Sequence, residues 1–469
     1  MQNTIARGRI MGEGKNIKVG YRTSRKERIS FALFMAGQTL FNQFFQGYSK
    51  KFMTEMGLTA AVVGTILLCI SIFDAVDDPL WGNIFDRTHF KSGKFLPWLR
   101  LSVVLMPIFS IALFTMPSAL NSTGKVVWGA VFAVLFSVAY TLCDAPIFSM
   151  ISAATDNVQE RVQIMSVNSI FAAVPTVLVA AVIPFVYPRI GWGWTGAAVA
   201  LCAVPLMVAM GRNGKERFVN KDPETVTFKA TVKYLKENKY LRIYFVGLLI
   251  LFSTATTQQA ATFFADFNLG NVEKQAIITL AMSGPAFLFV VLLPFVTKKI
   301  DKFKIFLFCV FGQIAVSVIS FLAGYENQIV FMSLMSVRGF FWGGNAVMML
   351  MFTPDFIEYG EYKTGKRLQG TVNSIQTFVC KLMTAIAGGF VMFIMARAGF
   401  KEGVDVVQPQ SALDSIWFLL SFMPAVGGVL SLPFFLRYKL NDKDTQLMAS
   451  VNSGEITREE AEAKFSRQY

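Results

Sequence analysis

The residues Ile72-Phe73-Asp74-Ala75-Val76-Asp77-Asp78-Pro79-Leu80-Trp81-Gly82-Asn83-Ile84-Phe85-Asp86-Arg87 place three carboxylates inside a segment that is otherwise apolar. The apolar run begins at Ala60, so residues 60–85 are long enough to cross ~30 Å of hydrocarbon as a helix. An ionisable side chain there costs at least ~2.5–3.5 kcal/mol and marks a functional site by default. Asp74 and Asp78 fall one turn apart on a helix face, with Asp77 beside them at i+3. Pro79 has no N–H for the carbonyl of Ala75, which is left free near the acids. Carboxylates and a loose carbonyl make an oxygen-only nest for a hard monovalent cation such as Na⁺. A single ion pair that ties helices together needs one acid, not three within five residues.

Eleven more segments share this length and apolar character: 29–52, 96–117, 126–151, 164–187, 192–211, 241–264, 275–297, 305–323, 328–352, 370–396 and 414–436. Of the 469 residues 54% are hydrophobic and 16% charged, against roughly 25% charged in soluble domains. The expectation is an all-α membrane protein of 12 transmembrane helices. Divided by these spans, 35 of the 44 Lys and Arg lie on one side. Seven lie opposite (Lys50, Lys51, Lys125, Arg189, Lys274, Arg397 and Lys401), and Arg338 and Lys381 remain inside. That bias predicts that the tails 1–28 and 438–469 are both cytoplasmic, in a bacterial cytoplasmic membrane. It also explains the net charge of +14 without nucleic acid, as an affinity for anionic lipid headgroups.

The polar segment 212–240 divides the spans into an N-terminal half, 29–211, and a C-terminal half, 241–437. Within it Phe228, Val232 and Leu235 have the spacing of a short amphipathic helix on the membrane surface. In the C-tail Thr457 and Glu460 have the spacing of a helix cap, for a short helix through Phe465. The halves echo one another. Gly82, Asp86-Arg87, Lys91 and Lys94 follow the second span, and Lys298-Lys299-Ile300-Asp301-Lys302 follow the eighth. A short basic loop at the same place in each six-helix half predicts a major-facilitator fold, in which two halves rock about a site at the midplane.

Further polar side chains interrupt the spans: Tyr140, Thr141 and Asp144, with Pro146 and Phe148 beyond; Arg338 and Trp342; Gln376, Thr377 and Lys381. Four intramembrane acids face two bases, so one of the aspartates takes a proton in part of a working cycle. An acid that can be protonated beside a cation nest is the equipment of a symporter. Cys69, Cys143, Cys202, Cys309 and Cys380 all fall in spans and read as packing residues. A membrane enzyme would need a nucleophile with its base or a metal cluster, and the one histidine, His89, lies in a loop.

The motif from Asp74 to Pro79, then Gly82, Arg87-Thr88 and Gly93-Lys94-Phe95-Leu96-Pro97-Trp98, resembles the signature of the glycoside–pentoside–hexuronide:cation symporters. The resemblance continues through Tyr140-Thr141-Leu142-Cys143-Asp144-Ala145-Pro146, Glu358-Tyr359-Gly360-Glu361-Tyr362-Lys363 and Ser374-Ile375-Gln376-Thr377, as far as Lys381. It implies that Asp74, Asp78 and Thr141 bind the cation, with Asp77 beside them and Lys381 in a supporting, coupling role. It also implies that Asp144 and Phe148 face a sugar. Tyr140, Gln38, Thr39, Arg338, Trp342, Gln376 and Thr377 complete the candidate substrate site. No cofactor is called for beyond a coupling cation, Na⁺ or H⁺, and the expected working unit is a monomer.

The sequence departs from the melibiose branch of that family. Gln38 and Thr39 replace a lysine and an aspartate, Ser169 replaces an arginine, Phe148 a tryptophan, and Asp77 the usual asparagine. The substrate is therefore read as a sugar, glycoside or oligosaccharide. An anionic hexuronide paired with Arg338, or a lipid-like molecule, stands as the alternative.

Overall fold

The computed structural model describes residues 21–88, 90, 92–155, 157–218, 234–297, 299–365, 369–403 and 406–467. Every regular element among them is a helix. The N-terminal half comprises α1 (Arg25–Glu55), α2 (Ala60–Arg87), α3 (Leu96–Phe114), α4 (Ser122–Ala154), α5 (Val158–Ile190) and α6 (Trp192–Asn213). The C-terminal half comprises α7 (Lys239–Asn268), α8 (Lys274–Val296), α9 (Lys302–Ala323), α10 (Gln328–Met351), α11 (Thr353–Thr364), α12 (Gln369–Arg397), α13 (Gln410–Ser421) and α14 (Met423–Phe435). Two short helices follow, α15 (Asp442–Asn452) and α16 (Arg458–Glu462).

Side-chain caps set several of the starts. Ser24 and Glu27 form a reciprocal capping box on α1, Thr59 accepts from Val62 N–H on α2, and Asn121 accepts from Gly124 N–H on α4. Asn238 and Asp301 do the same for α7 and α9. On the central-loop side, Glu216 reaches across to accept the backbone N–H groups of Lys94, Phe95 and Leu96 at 2.7–2.8 Å. A carboxylate there complements the orphan donors at the start of α3.

Within the N-terminal half α1 packs on α5 and α6, and α4 on α2 and α3; within the other half α10 packs on α8 and α9. The halves meet where α2 runs along α12 and α5 along α8. Gly339 and Gly343 of α10, a small-xxx-small pair, lie against Met282 and Ala286 of α8 and let the two backbones approach closely. A Cβ at Gly339 would collide with the Met282 carbonyl oxygen.

Helices occupy all twelve positions expected from the sequence, and fewer of them meet the length and apolar composition of a membrane span. Among the described residues eight helices are long and apolar enough to cross, or nine if α13 and α14 form one span bent by 45°. α1, α2 and α10 are the exceptions. The middle of α1 carries Gln38, Thr39, Asn42, Gln43 and Gln46, which is a polar helix for a lipid environment and a suitable one for lining a hydrophilic site.

Other details differ from expectation as well. The expected seventh span is interrupted by a 3₁₀ turn at Leu251–Ala255 and closes in a π turn at Phe264–Asn268. The loop expected between spans 10 and 11 contains α11, whose first turn has Pro354 where a missing N–H is harmless. The Thr457 cap is present, reciprocated by Glu460, but α16 stops at Glu462, short of Phe465. Phe228 and Val232, the core of the expected surface helix, lie outside the described residues, as do His89, Lys91 and Lys298.

Candidate functional site

α4 brings two polar clusters together on successive turns. In the first, the buried Ser137 hydroxyl donates to Asp74 Oδ1 of α2. One turn on, the buried Thr141 hydroxyl donates to the Ser137 carbonyl at 3.3 Å. In the second, Gln38 Nε2 of α1 donates to Asp144 Oδ1 at 2.6 Å and the Tyr140 hydroxyl donates to the same oxygen at 3.1 Å. Gln38 is buried, and its Oε1 has no hydrogen-bond partner among the described residues. Phe148, one turn beyond Asp144, is 44% exposed and presents an uncovered ring. Thr39 is half-buried and gives its hydroxyl to Met35 O in its own helix.

α2 is continuous from Ala60 to Arg87, so Asp74 and Asp78 stand one turn apart as the sequence predicts. The side chains of Asp77, Asp78 and Pro79 lie outside the described residues. Ser137 is the residue that sequence reading missed. Its signal was available: it lies four residues before Thr141, on the same face of α4.

In the other half the candidates differ in burial. Thr377 is exposed, and Trp342 and Lys381 are half-buried. Gln376 is buried at the α10–α11 corner, where its Oε1 accepts from the Thr353 hydroxyl and its Nε2 donates to Met349 O at 3.4 Å. Arg338 is fully buried. Its guanidinium donates to Leu420 O, to Ser421 O at 2.8 Å and to Thr257 Oγ1 at 3.4 Å. The substrate contact expected of Arg338 is not among these bonds. The charge is held by backbone carbonyls at the break between α13 and α14.

A third set of polar groups joins the halves at the end of the bundle where α1 stops. Lys50, buried, donates to Gln259 Oε1, and the Tyr48 hydroxyl lies 3.4 Å from Gln275 Oε1. Lys51, buried, pairs with Asp266 of the π turn and with Glu55 at 3.2 Å, over the Phe267 ring. Arg189 pairs with Glu273 at 2.6 Å, and Glu402 accepts from Ala60 N–H at 3.0 Å.

The chain is similar to known proteins. The chain is 26% identical to the isoprimeverose transporter of Lactiplantibacillus pentosus over 439 residues, which cover 91% of each chain. It is 24% identical over 394 residues to the putative glycoside/cation symporter YagG of Escherichia coli (strain K12), covering 82% of this chain and 85% of that one. It superposes on the solved nucleoside transporter NupG with a TM-score of 0.63 at 14% identity, over 89% of this chain and 100% of that one, a likeness of fold. Residues 30–442 match the model described as MFS/sugar transport protein. With two helical halves meeting along α2–α12 and α5–α8, and that match across nearly the whole chain, the protein belongs to the MFS/sugar transport family.

Proposed function

We propose that the protein is a symporter that couples entry of a monovalent cation to uptake of a neutral sugar or glycoside, by alternating access between its two halves. The observation that carries this reading is the pair of clusters on α4, one at Asp74 and one at Asp144, a turn apart. The names of the two relatives, an isoprimeverose transporter and a putative glycoside/cation symporter, agree with it.

Asp74, Asp77, Asp78 and Thr141 take the cation, Na⁺ or H⁺, and Lys381 couples their charge state to the other half. Asp144 and Tyr140 accept and donate to sugar hydroxyls, while the Phe148 ring covers an apolar sugar face. A hydroxyl that reaches Asp144 Oδ1 displaces the Gln38 amide, which turns to the sugar together with Thr39. Trp342, Gln376 and Thr377 approach from the C-terminal half. The units are the halves 29–211 and 241–437 and the linker 212–240. The working protein is a monomer in a bacterial cytoplasmic membrane, with both termini in the cytoplasm and anionic lipid along its basic face.

The test is uptake of a panel of labelled sugars and glycosides by vesicles, with Na⁺, Li⁺ and H⁺ gradients imposed separately. One gradient should drive uphill accumulation of a neutral glycoside. Asp78→Asn should abolish that stimulation and leave glycoside binding measurable. Uptake indifferent to every gradient would overturn the symport reading.

A further inference from the structure

We propose that Ser137 is a ligand of the coupling cation and sets the preference of the site between Na⁺ and Li⁺. The inference rests on the assignment of the cation site to Asp74 and extends it to a residue the sequence motif does not single out. Three observations support it. Ser137 comes from a different helix than Asp74, and its hydroxyl reaches the Asp74 carboxylate directly. It is buried, 6% exposed, on the flank of α4 that packs along α2. Thr141, one turn away and 3% exposed, spends its proton on the Ser137 carbonyl, which leaves the Thr141 lone pairs unoccupied by that bond.

The chemistry follows from what each proton is doing. A hydroxyl that donates its hydrogen still carries two acceptor lone pairs. Ser137 and Thr141 both donate, one to a carboxylate and one to a carbonyl, so both oxygens offer only lone pairs to anything that arrives between α2 and α4. A cation beside Asp74 therefore meets a carboxylate and two hydroxyl oxygens from a neighbouring helix, the hard-oxygen set that small monovalent and divalent ions prefer. The number of such oxygens and the field they present decide between ions of one charge and different size. Removing one of them changes affinity and also changes the ratio between ions, which a merely structural hydroxyl would not do.

Ser137→Ala is a mild change for the fold, because Ala is the best residue for a helix interior. Glycoside binding at saturating cation checks that the variant is intact. The experiment measures the Na⁺ and the Li⁺ concentrations that half-maximally stimulate glycoside binding to purified protein, for wild type, Ser137→Ala, Ser137→Thr and Asp74→Asn.

In Ser137→Ala the half-maximal Na⁺ should rise roughly tenfold, the scale of one lost charge-assisted contact. The Li⁺:Na⁺ ratio should change with it, and Ser137→Thr should return both toward wild type. Superimposable Na⁺ and Li⁺ curves for wild type and Ser137→Ala would remove Ser137 from the site, while a silent Asp74→Asn would keep the cation reading itself. Full cation stimulation in Asp74→Asn would sink that reading and the Ser137 proposal with it. A wild type that responds to neither ion would overturn the Ser137 proposal and leave proton coupling standing.

Discussion

Arg338 sits where backbone carbonyls have lost their own donors. Pro424 has no N–H to give Leu420 O, and Ala425 N–H bonds Phe422 O at 2.8 Å instead of the Ser421 carbonyl. Thr256 and Thr257 of α7 donate to Leu419 O and Leu420 O at 2.8 and 2.9 Å, and the guanidinium takes the remainder. A cation at the C-terminal end of α13 also complements the helix dipole. Broken helices persist at membrane depth only where the freed backbone groups are satisfied in this way.

Arg338→Met should therefore lower thermal stability, since each buried carbonyl left unpaired costs about 1–3 kcal/mol. It should weaken binding of a hexuronide and of its neutral glycoside to the same extent. Thermal unfolding in detergent and binding of both ligands check this, and a selective loss of the hexuronide would return Arg338 to the substrate site. The charge was visible in the sequence, and so was Pro424. Their meeting was not, because they lie 86 positions apart in the chain and only the reach of Arg338 from α10 to the end of α13 joins them. Asp144 was more legible, since Tyr140 precedes it by one helical turn and the pair is local.

At the scale of elements, close approach and anchoring make separate demands. α10 reaches α8 through Gly339, where an added methyl meets backbone, whereas a Cβ at Gly284 of α8 meets nothing within 4 Å. Gly339→Ala should cost about 1–3 kcal/mol by overpacking, and Gly284→Ala should be neutral or stabilising. Melting temperatures of the two variants in the same detergent distinguish the sites, and equal shifts would deny the contact.

The start of α1 is held by Glu160, whose buried carboxylate accepts from the Thr23 hydroxyl, from Thr155 Oγ1 at 2.6 Å and from the Thr23 and Arg22 amides at 3.0 Å. Burial pushes this carboxyl up, but those hydrogen bonds outweigh it and hold it at about 2, against an ordinary 4.5. A lowered carboxyl stabilises the fold fully above about pH 4.5 and loses that contribution as the pH falls through about 2, on the order of 3 kcal/mol in all. Glu160→Gln at neutral pH should thus free residues 22–24 much as strong acid does in the wild type. Hydrogen exchange of that segment, corrected for its intrinsic pH dependence, reads it out, and unchanged protection would deny the anchor.

Apolar length and caps made most helices legible in the sequence. α11 was not, because its buried face (Phe356, Ile357, Tyr359, Tyr362) sits among charges and is too short to stand out from a loop. The interruptions of α7 were not legible either. Leu251–Ala255 and Phe264–Asn268 contain no proline or glycine to announce them.

For the whole molecule, the two-half organisation could be read from the paired basic loops, but the seam between the halves could not. Lys50 and Lys51 look like ordinary loop charges at the end of a span. In the fold both are buried between α1 and α7. Lys51→Gln leaves Asp266 and Glu55 without their shared cation. Because Asp266 is partly exposed, the loss is about 1–2 kcal/mol, enough to move the open fraction of this end roughly tenfold. Maleimide labelling of a cysteine placed by Tyr48→Cys should then be several times faster with Lys51→Gln than without it. Equal rates would show that the seam is held by other contacts.

The sharing of α4 by both clusters has a thermodynamic consequence. On the proposed assignment the turn holding Ser137 and Thr141 cannot shift without moving Tyr140 and Asp144. Any factor by which the ion strengthens sugar binding must be returned, equal in size, as the factor by which the sugar strengthens ion binding. A reciprocal factor of about ten is ~1.4 kcal/mol. It means that a carrier without sugar holds its ion poorly, so the electrochemical gradient is not drained by empty cycles when there is nothing to import.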